Sequence, residues 1–386
     1  MTTIPEVDTA DPTARPAGAG DHRGSWVPNW AMVTTRFMEL RKRRGLMIAL
    51  IVVLIGIPTI FLAVRLVLHA ADPKSYGPAG GYDIYTQLVA GVMYIFGFIV
   101  AATLGCTAGS VDLTEGMFRH LVVTGRSRLA LYLARIPAGL AIVVPLVAVG
   151  FTVVCAVCVF AAPAKETYAG VTVPSNLSLS AFESWAGNHA DVVDCQFPFN
   201  GPLNVPCGPN GPGPGGGVIV GKAGPAPAPS DLSTRAIAVQ VARQNYADYR
   251  ATFRVPSVSL MIRTGLWLEL EAAIGLIVGL GLASLIGQRT VAVILMIVLE
   301  LILTPILSRH VIPHFINLQR GVVGLATAHL EPGGLPLPFG GGGGGGPGGG
   351  TALLVPESTL VAACVIVAWL VGWTALGAWR MVTRDA

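Results

Sequence analysis

The sequence predicts an all-α polytopic membrane protein with about six transmembrane helices and an interfacial helix ahead of the first. Three observations carry this. Hydrophobic residues make up 53% of the 386 and charged residues 12%, about half the charged share of an ordinary soluble domain, and the mean hydropathy is +0.65. Several apolar runs reach the 20 or so residues that cross a bilayer. The arginines cluster beside these runs instead of spreading over a soluble face, so the net charge of +4 describes orientation in a membrane and calls for no nucleic-acid partner.

Residues 1–24 are polar, contain Pro and Gly, and have no early apolar core, so they read as a disordered tail and not as a cleavable signal peptide. Residues 25–44 hold Trp30, Val33, Phe37 and Leu40 at helical spacing, with Arg36, Glu39 and Arg43 on other faces. This is the pattern of an amphipathic helix lying in the interface; a positively flanked start to the first span is the plainer alternative. Within 45–162 the expected spans are Gly45 to Ala70, Gln87 to about Ala108 and Leu129 to Ala162. Residues 265–308 supply two more, Leu266 to Ile286 and Val291 to Leu307, joined by the hairpin Gly287-Gln288-Arg289-Thr290 and therefore antiparallel neighbours. The last, Pro356 to Trp379, lies in 356–386 and leads into a short tail.

Lys and Arg in short flanks favour the cytoplasm. Arg41 to Arg44, then Arg119, Arg126, Arg128 and Arg135, then Arg289, Arg380 and Arg384 all fall on one side if there are six spans. Both termini are then expected in the cytoplasm, with 163–264 and 309–355 outside. Pro163 to Pro229 is so rich in Gly, Pro, Ser and Asn that no regular core is expected. Ser233 to Phe253 changes to a helical stripe of Val239, Ala242, Tyr246, Tyr249 and Phe253, suited to the outer membrane surface. Gly340 to Gly350 is a low-complexity linker.

Cys195 and Cys207 stand close together in the outer segment, where the compartment permits a disulfide. Cys155 and Cys158 form a C-x-x-C inside the third span, where small buried residues are a better reading than a redox or metal pair. The run Gly216 to Ala223 matches G-x-x-x-x-G-K but ends in Ala where a nucleotide loop needs a hydroxyl for magnesium, and no strand is expected before it. Asn176-Leu177-Ser178 fits a glycosylation acceptor, which matters only in a host that glycosylates. The scattered histidines form no catalytic frame, and no metal or cofactor site is expected.

Ionisable groups inside spans are costly unless partnered or wetted. Glu300, in the middle of the fifth span, either fixes packing through a hydrogen bond or lines a pathway. Glu269 and Glu271 are expected near the outer end of the fourth span, close to Arg263, in a local ion pair or at the interface, and Arg65 as a side chain that snorkels to the headgroups.

The most informative segment is the cytoplasmic connection 110–128. Leu113, Met117 and Leu121 recur at i, i+4 and i+8, while Glu115, Arg119 and Arg126 offer charge, so a short helix here could seat its apolar stripe in a partner's groove; a solvated positive loop is the bland alternative. The run Asp112-Leu113-Thr114-Glu115-Gly116-Met117-Phe118-Arg119-His120-Leu121, then Thr124-Gly125-Arg126-Ser127-Arg128 and Ala134-Arg135, resembles the signature of ABC-2 type ATP-binding-cassette transporter permeases. Met117 stands where that family usually has Thr, Gly125 where Pro is frequent, and Arg135 where Lys is common. The resemblance implies an ATPase-coupling loop carried by Asp112, Glu115, Gly116, Met117, Arg119, Leu121, Arg126 and Arg128. It also implies a separate cytoplasmic ABC ATPase subunit holding ATP and magnesium, a second permease subunit, and the cytoplasmic membrane of a bacterium. A non-transporting scaffold with outer binding segments, or a secondary transporter using Glu300 as a proton site, are the rival readings. Peptide mapping of the non-reduced chain should recover Cys195 and Cys207 in one linked pair of peptides, and recovery of both as free thiols counts against the bridge.

Overall fold

The computed structural model describes residues 27–72, 76, 78–114, 127–163, 165–168, 171–190, 234–244, 246–308, 314–332 and 357–383. Six helices in it are long and apolar enough to cross a membrane: span 1 Arg44–Ala71, span 2 Tyr82–Val111, span 3 Arg128–Phe160, span 4 Val258–Ile286, span 5 Arg289–Leu307 and span 6 Thr359–Thr383. The chain is thus a multi-pass, mainly helical membrane protein. Spans 2 and 4 start earlier than their apolar runs. In span 4 the Ser257 side chain caps the first turn by accepting from Leu260 N, so the helix begins ahead of Arg263 and Thr264. It ends at Gly287, whose φ of 78° forms a left-handed cap, and span 5 resumes at Arg289.

Two helices form the centre. In spans 2 and 4, 67% of the most apolar window is buried, against 39% or less in the other four. They meet backbone to backbone along a row of small residues. A Cβ on Gly279 would lie 2.8 Å from the Ala102 carbonyl oxygen, and one on Gly105 would collide with the Leu276 carbonyl. Small residues let helices approach where lipid supplies no hydrophobic drive for association. Around this pair, Leu54, Val143 and Val147 belong to one apolar cluster on the side of spans 1 and 3. Met296, Val323 and Ile366 belong to a second on the side of spans 5 and 6.

Where the interfacial helix is expected, residues Trp30–Lys42 form helix α1, with Asn29 capping Ala31 N. Val33 packs with Ala134 and Ala138 at the start of span 3, while Trp30 stays 75% exposed. Arg36 was expected on an outer face but is buried, paired with Glu39 at 2.7 Å. The Arg65 guanidinium likewise has a protein partner, donating to the Pro78 carbonyl at 2.9 Å.

The insertion between spans 3 and 4 departs from expectation in having its own small core. Strands β1 (Lys165–Tyr168) and β2 (Val171–Pro174) pair antiparallel, the one exception to an all-α description among the described residues. Helix α2 (Leu179–Asn188), capped by Ser178, packs against α3 (Thr234–Gln244) and α4 (Tyr246–Thr252). Phe182 stacks on Tyr249 at 4.0 Å, and the Tyr249 hydroxyl donates to Pro174 O at 2.6 Å and accepts from Leu177 N at 2.9 Å. The stripe Ala242, Tyr246 and Tyr249 is therefore spent on α2 and β2, not on the membrane surface. Arg243 meets Glu183 at 2.7 Å on the solvent side and holds that carboxyl below its ordinary range. The insertion joins the bundle through Tyr82 N to Arg254 O at 2.8 Å, with the Arg254 guanidinium 4.3 Å over the Tyr82 ring.

Cys155 and Cys158 are free thiols in span 3, as small span residues would be. Cys195, Cys207, the tail 1–24, the nucleotide-loop lookalike at 216–223 and the glycine run 340–350 lie outside the described residues. Overpacking the central crossing should cost about 1–3 kcal/mol: Gly105→Ala and Gly279→Ala each lower the thermal midpoint in detergent, whereas Gly91→Ala and Gly372→Ala, with open space at the Cβ position, leave it unchanged.

Candidate functional site

Between spans 5 and 6 the chain makes a feature absent from the sequence reading, a re-entrant hairpin of two short helices, α5 (Ile316–Arg320) and α6 (Val323–Ala328). Its turn at Gly321 accepts from Trp369 Nε1 at 2.8 Å. Trp369 lies ten residues into span 6, about 15 Å below the start of that helix, so the turn sits at depth. From there α6 returns to the head of span 6, where His329 Nε2 is 3.5 Å from Glu357 Oε1. Burial pushes the Glu357 carboxyl up from its ordinary range, with His329 and Arg320 opposing.

Broken backbone at membrane depth is tolerated only where protein satisfies it. Here side chains do so: Trp369 at Gly321 O, Trp267 Nε1 at Thr327 O (3.0 Å) and Gln319 Nε2 at Leu307 O (2.9 Å). Val323 through Thr327 are all buried.

Beneath α6 lie two acidic side chains. Glu300 is 1% exposed and sits in a π-helical turn of span 5, Val298–Leu303. It is eleven residues from Arg289, about 16 Å along a helix axis, near the middle of a hydrocarbon layer about 30 Å thick. A second π turn, Val89–Tyr94 in span 2, presents Tyr94, whose hydroxyl donates to Glu300 Oε1 at 2.6 Å. The Tyr94 ring stacks on Trp267 of span 4, centroids 5.1 Å apart. Glu271, one turn further along span 4 and 2% exposed, lies beside the Thr327 hydroxyl and within reach of the charge on Glu300. The fit above is close: a Cβ on Gly324 would stand 2.5 Å from Thr304 Oγ1 and 2.7 Å from Glu300 Oε2.

Glu300 is thus buried in the bundle with one partner from another span. Glu271 corrects the sequence expectation. It is no interface residue paired with Arg263 but the second acid of the same site. Its signal was present: Thr264, Trp267, Glu271, Gly275 and Val278 share one face of the helix, and that face is the buried one. Tyr94 and Thr327 carry no such signal in sequence.

At the opposite end of the bundle, α1 and the beginnings and ends of spans 2, 3 and 6 converge. Arg128 Nη1 donates to Val382 O at 3.1 Å, and buried Arg135 donates to Gly109 O at 3.3 Å. Arg36, Glu39 and Arg135 line one small cavity with Ala108 and Val111. The helix of span 2 runs on to Thr114, which places the backbone of Asp112 in its last turn. Glu115, Gly116, Met117, Arg119, Leu121 and Arg126 lie outside the described residues. Comparison with protein-family models, curated proteins and solved structures gives no match to this chain.

Tyr94→Phe removes the donor to Glu300 and leaves a buried carboxyl oxygen without a partner, a loss of about 1–3 kcal/mol. The expected result is a lower thermal midpoint together with a changed Trp emission spectrum, because Trp267 stacks on the altered ring; an unchanged midpoint and spectrum would show that the bond contributes little.

Proposed function

We propose that the chain is the membrane-spanning permease subunit of an ABC-2 type transporter, an exporter in direction, moving its cargo across the cytoplasmic membrane of a bacterium. ATP and magnesium are held by a separate cytoplasmic ATPase subunit, and a second permease subunit, alike or different, completes the pathway. Both termini face the cytoplasm in this reading. The observation that carries it is the convergence, at one end of the bundle, of α1, the Arg128 and Arg135 contacts and the helix that leads into residues 115–126. A partner pushing on that segment would act at once on span 2, on span 3 and, through Arg128, on the end of span 6. Span 2 is also one half of the central glycine crossing, so a displacement entering there reaches span 4 without an intermediate helix.

The deciding experiment is purification of the tagged chain from its native membrane in mild detergent, with mass spectrometry of what accompanies it and an ATP hydrolysis assay. A stoichiometric ATPase is expected. Its recovery should fall on the order of tenfold, ~1.4 kcal/mol of docking energy, in Arg119→Glu and Arg126→Glu chains that still insert normally. Recovery of the chain alone or with only outer-surface partners would favour a scaffold. Proton-driven uptake abolished by Glu300→Gln with no ATPase present would favour a secondary transporter.

A further inference from the structure

The two acids under α6 present a chemical problem that their neighbours leave open. Both are almost wholly buried, and Glu271 Oε1 and Glu300 Oε2 have no hydrogen-bond partner. Among the described residues the groups facing them are acidic or neutral: Tyr94 from span 2, Trp267 from span 4, Thr304 from span 5 and Thr327 from α6, with Glu331 beyond α6 close enough for its charge to reach Tyr94. Span 6 brings no acidic or basic side chain between Thr359 and Trp379. Of the described basic groups in the hairpin region, Arg320 and His329 act on Glu357 at the head of span 6. Two neighbouring carboxylates in such a place cannot both remain ionised without a very large desolvation and repulsion cost.

We infer that Glu271 and Glu300 form a proton-binding site that holds one proton at mid-depth in the bundle. Glu300 stays the acceptor, because the Tyr94 hydroxyl already donates to one of its oxygens and a charge-assisted bond of that kind favours the carboxylate. Glu271, whose Oε1 no such donor faces, carries the proton, so the two acids together hold a single negative charge. In balance, one proton from water joins the Glu271 carboxylate and no other bond changes. Helix α6 covers the pair, with Gly324 in contact with the Glu300 carboxyl, so exchange of the proton requires α6 to lift. The inference stands on the buried geometry and is independent of what powers the protein.

The test is infrared spectroscopy of the full-length chain in liposomes at neutral pH, subtracting the spectrum of the Glu271→Gln, Glu300→Gln double variant and scaling to the amide band. The expected difference is the C=O stretch of one carboxylic acid per chain, shifting slowly after transfer to D2O. No such band, or a band that develops only after chelation or removal of alkali cations, would show that the acids are ionised and overturn the proposal. Two acids per chain would overturn the count of one proton for the site. Should the double variant fail to insert, the wild-type chain labelled at the glutamate carboxyl carbon with carbon-13 gives the same count from the isotope shift, and absence of a shifted acid band again defeats it.

Discussion

Where spans 2 and 4 cross, Gly105 lies on the Leu276 backbone and Gly279 on that of Ala102, and the remainder of the bundle is arranged around that contact. In a bilayer an apolar side chain gains nothing by leaving lipid for protein, so helices hold together by close van der Waals fit and by hydrogen bonds. A crossing lined with glycine provides the first. It also fixes the axial register of the two helices, and that register aligns Tyr94 with Trp267 about two to three turns toward the insertion end. The acidic site thus inherits its geometry from a contact made of residues with no side chain.

The second requirement, satisfaction of every backbone polar group, explains why a hairpin can dip among the spans at all. The indoles of Trp267 and Trp369 and the Gln319 amide each donate to a carbonyl freed by the interruption of regular helix. Trp267 has two roles, since its ring stacks on Tyr94 while its N–H holds α6. The position of α6 and the orientation of the Glu300 partner are therefore mechanically linked through one side chain.

How much of this was legible in sequence follows from the length scale of each signal. The six spans were, because a run of twenty apolar residues has few other readings. Glu300 stood out for the same reason, a charge in the middle of such a run. Glu271 was misplaced because the apolar run of span 4 seemed to begin at Leu266, whereas the helix begins at Val258 and carries Glu271 well inside. The hairpin was invisible because Val322 to Ala328 is far too short to register as a membrane segment, and its burial depends on partners tens of residues away in other spans. The core of the insertion was hidden in a similar way, with Phe182 and Tyr249 separated by a long tract of Gly and Pro. The segment 115–126 remains known through its residues alone, and the partners proposed for it rest on its charge pattern and its resemblance.

The π turns in spans 2 and 5 have a wider implication. A turn of this kind holds one residue more than an α-helical turn, and one residue corresponds to about 100° of rotation about the helix axis. Tyr94 and Glu300 both belong to such turns, so their meeting depends on the spacing of the chain as well as on the identity of two side chains. Loss of a single residue from either segment would return it to an ordinary α-helical turn, re-aim the side chains within that turn and separate the partners while leaving both amino acids in place. The arrangement is encoded as a count, tolerant of many substitutions in the surrounding apolar residues and intolerant of the shortest deletion.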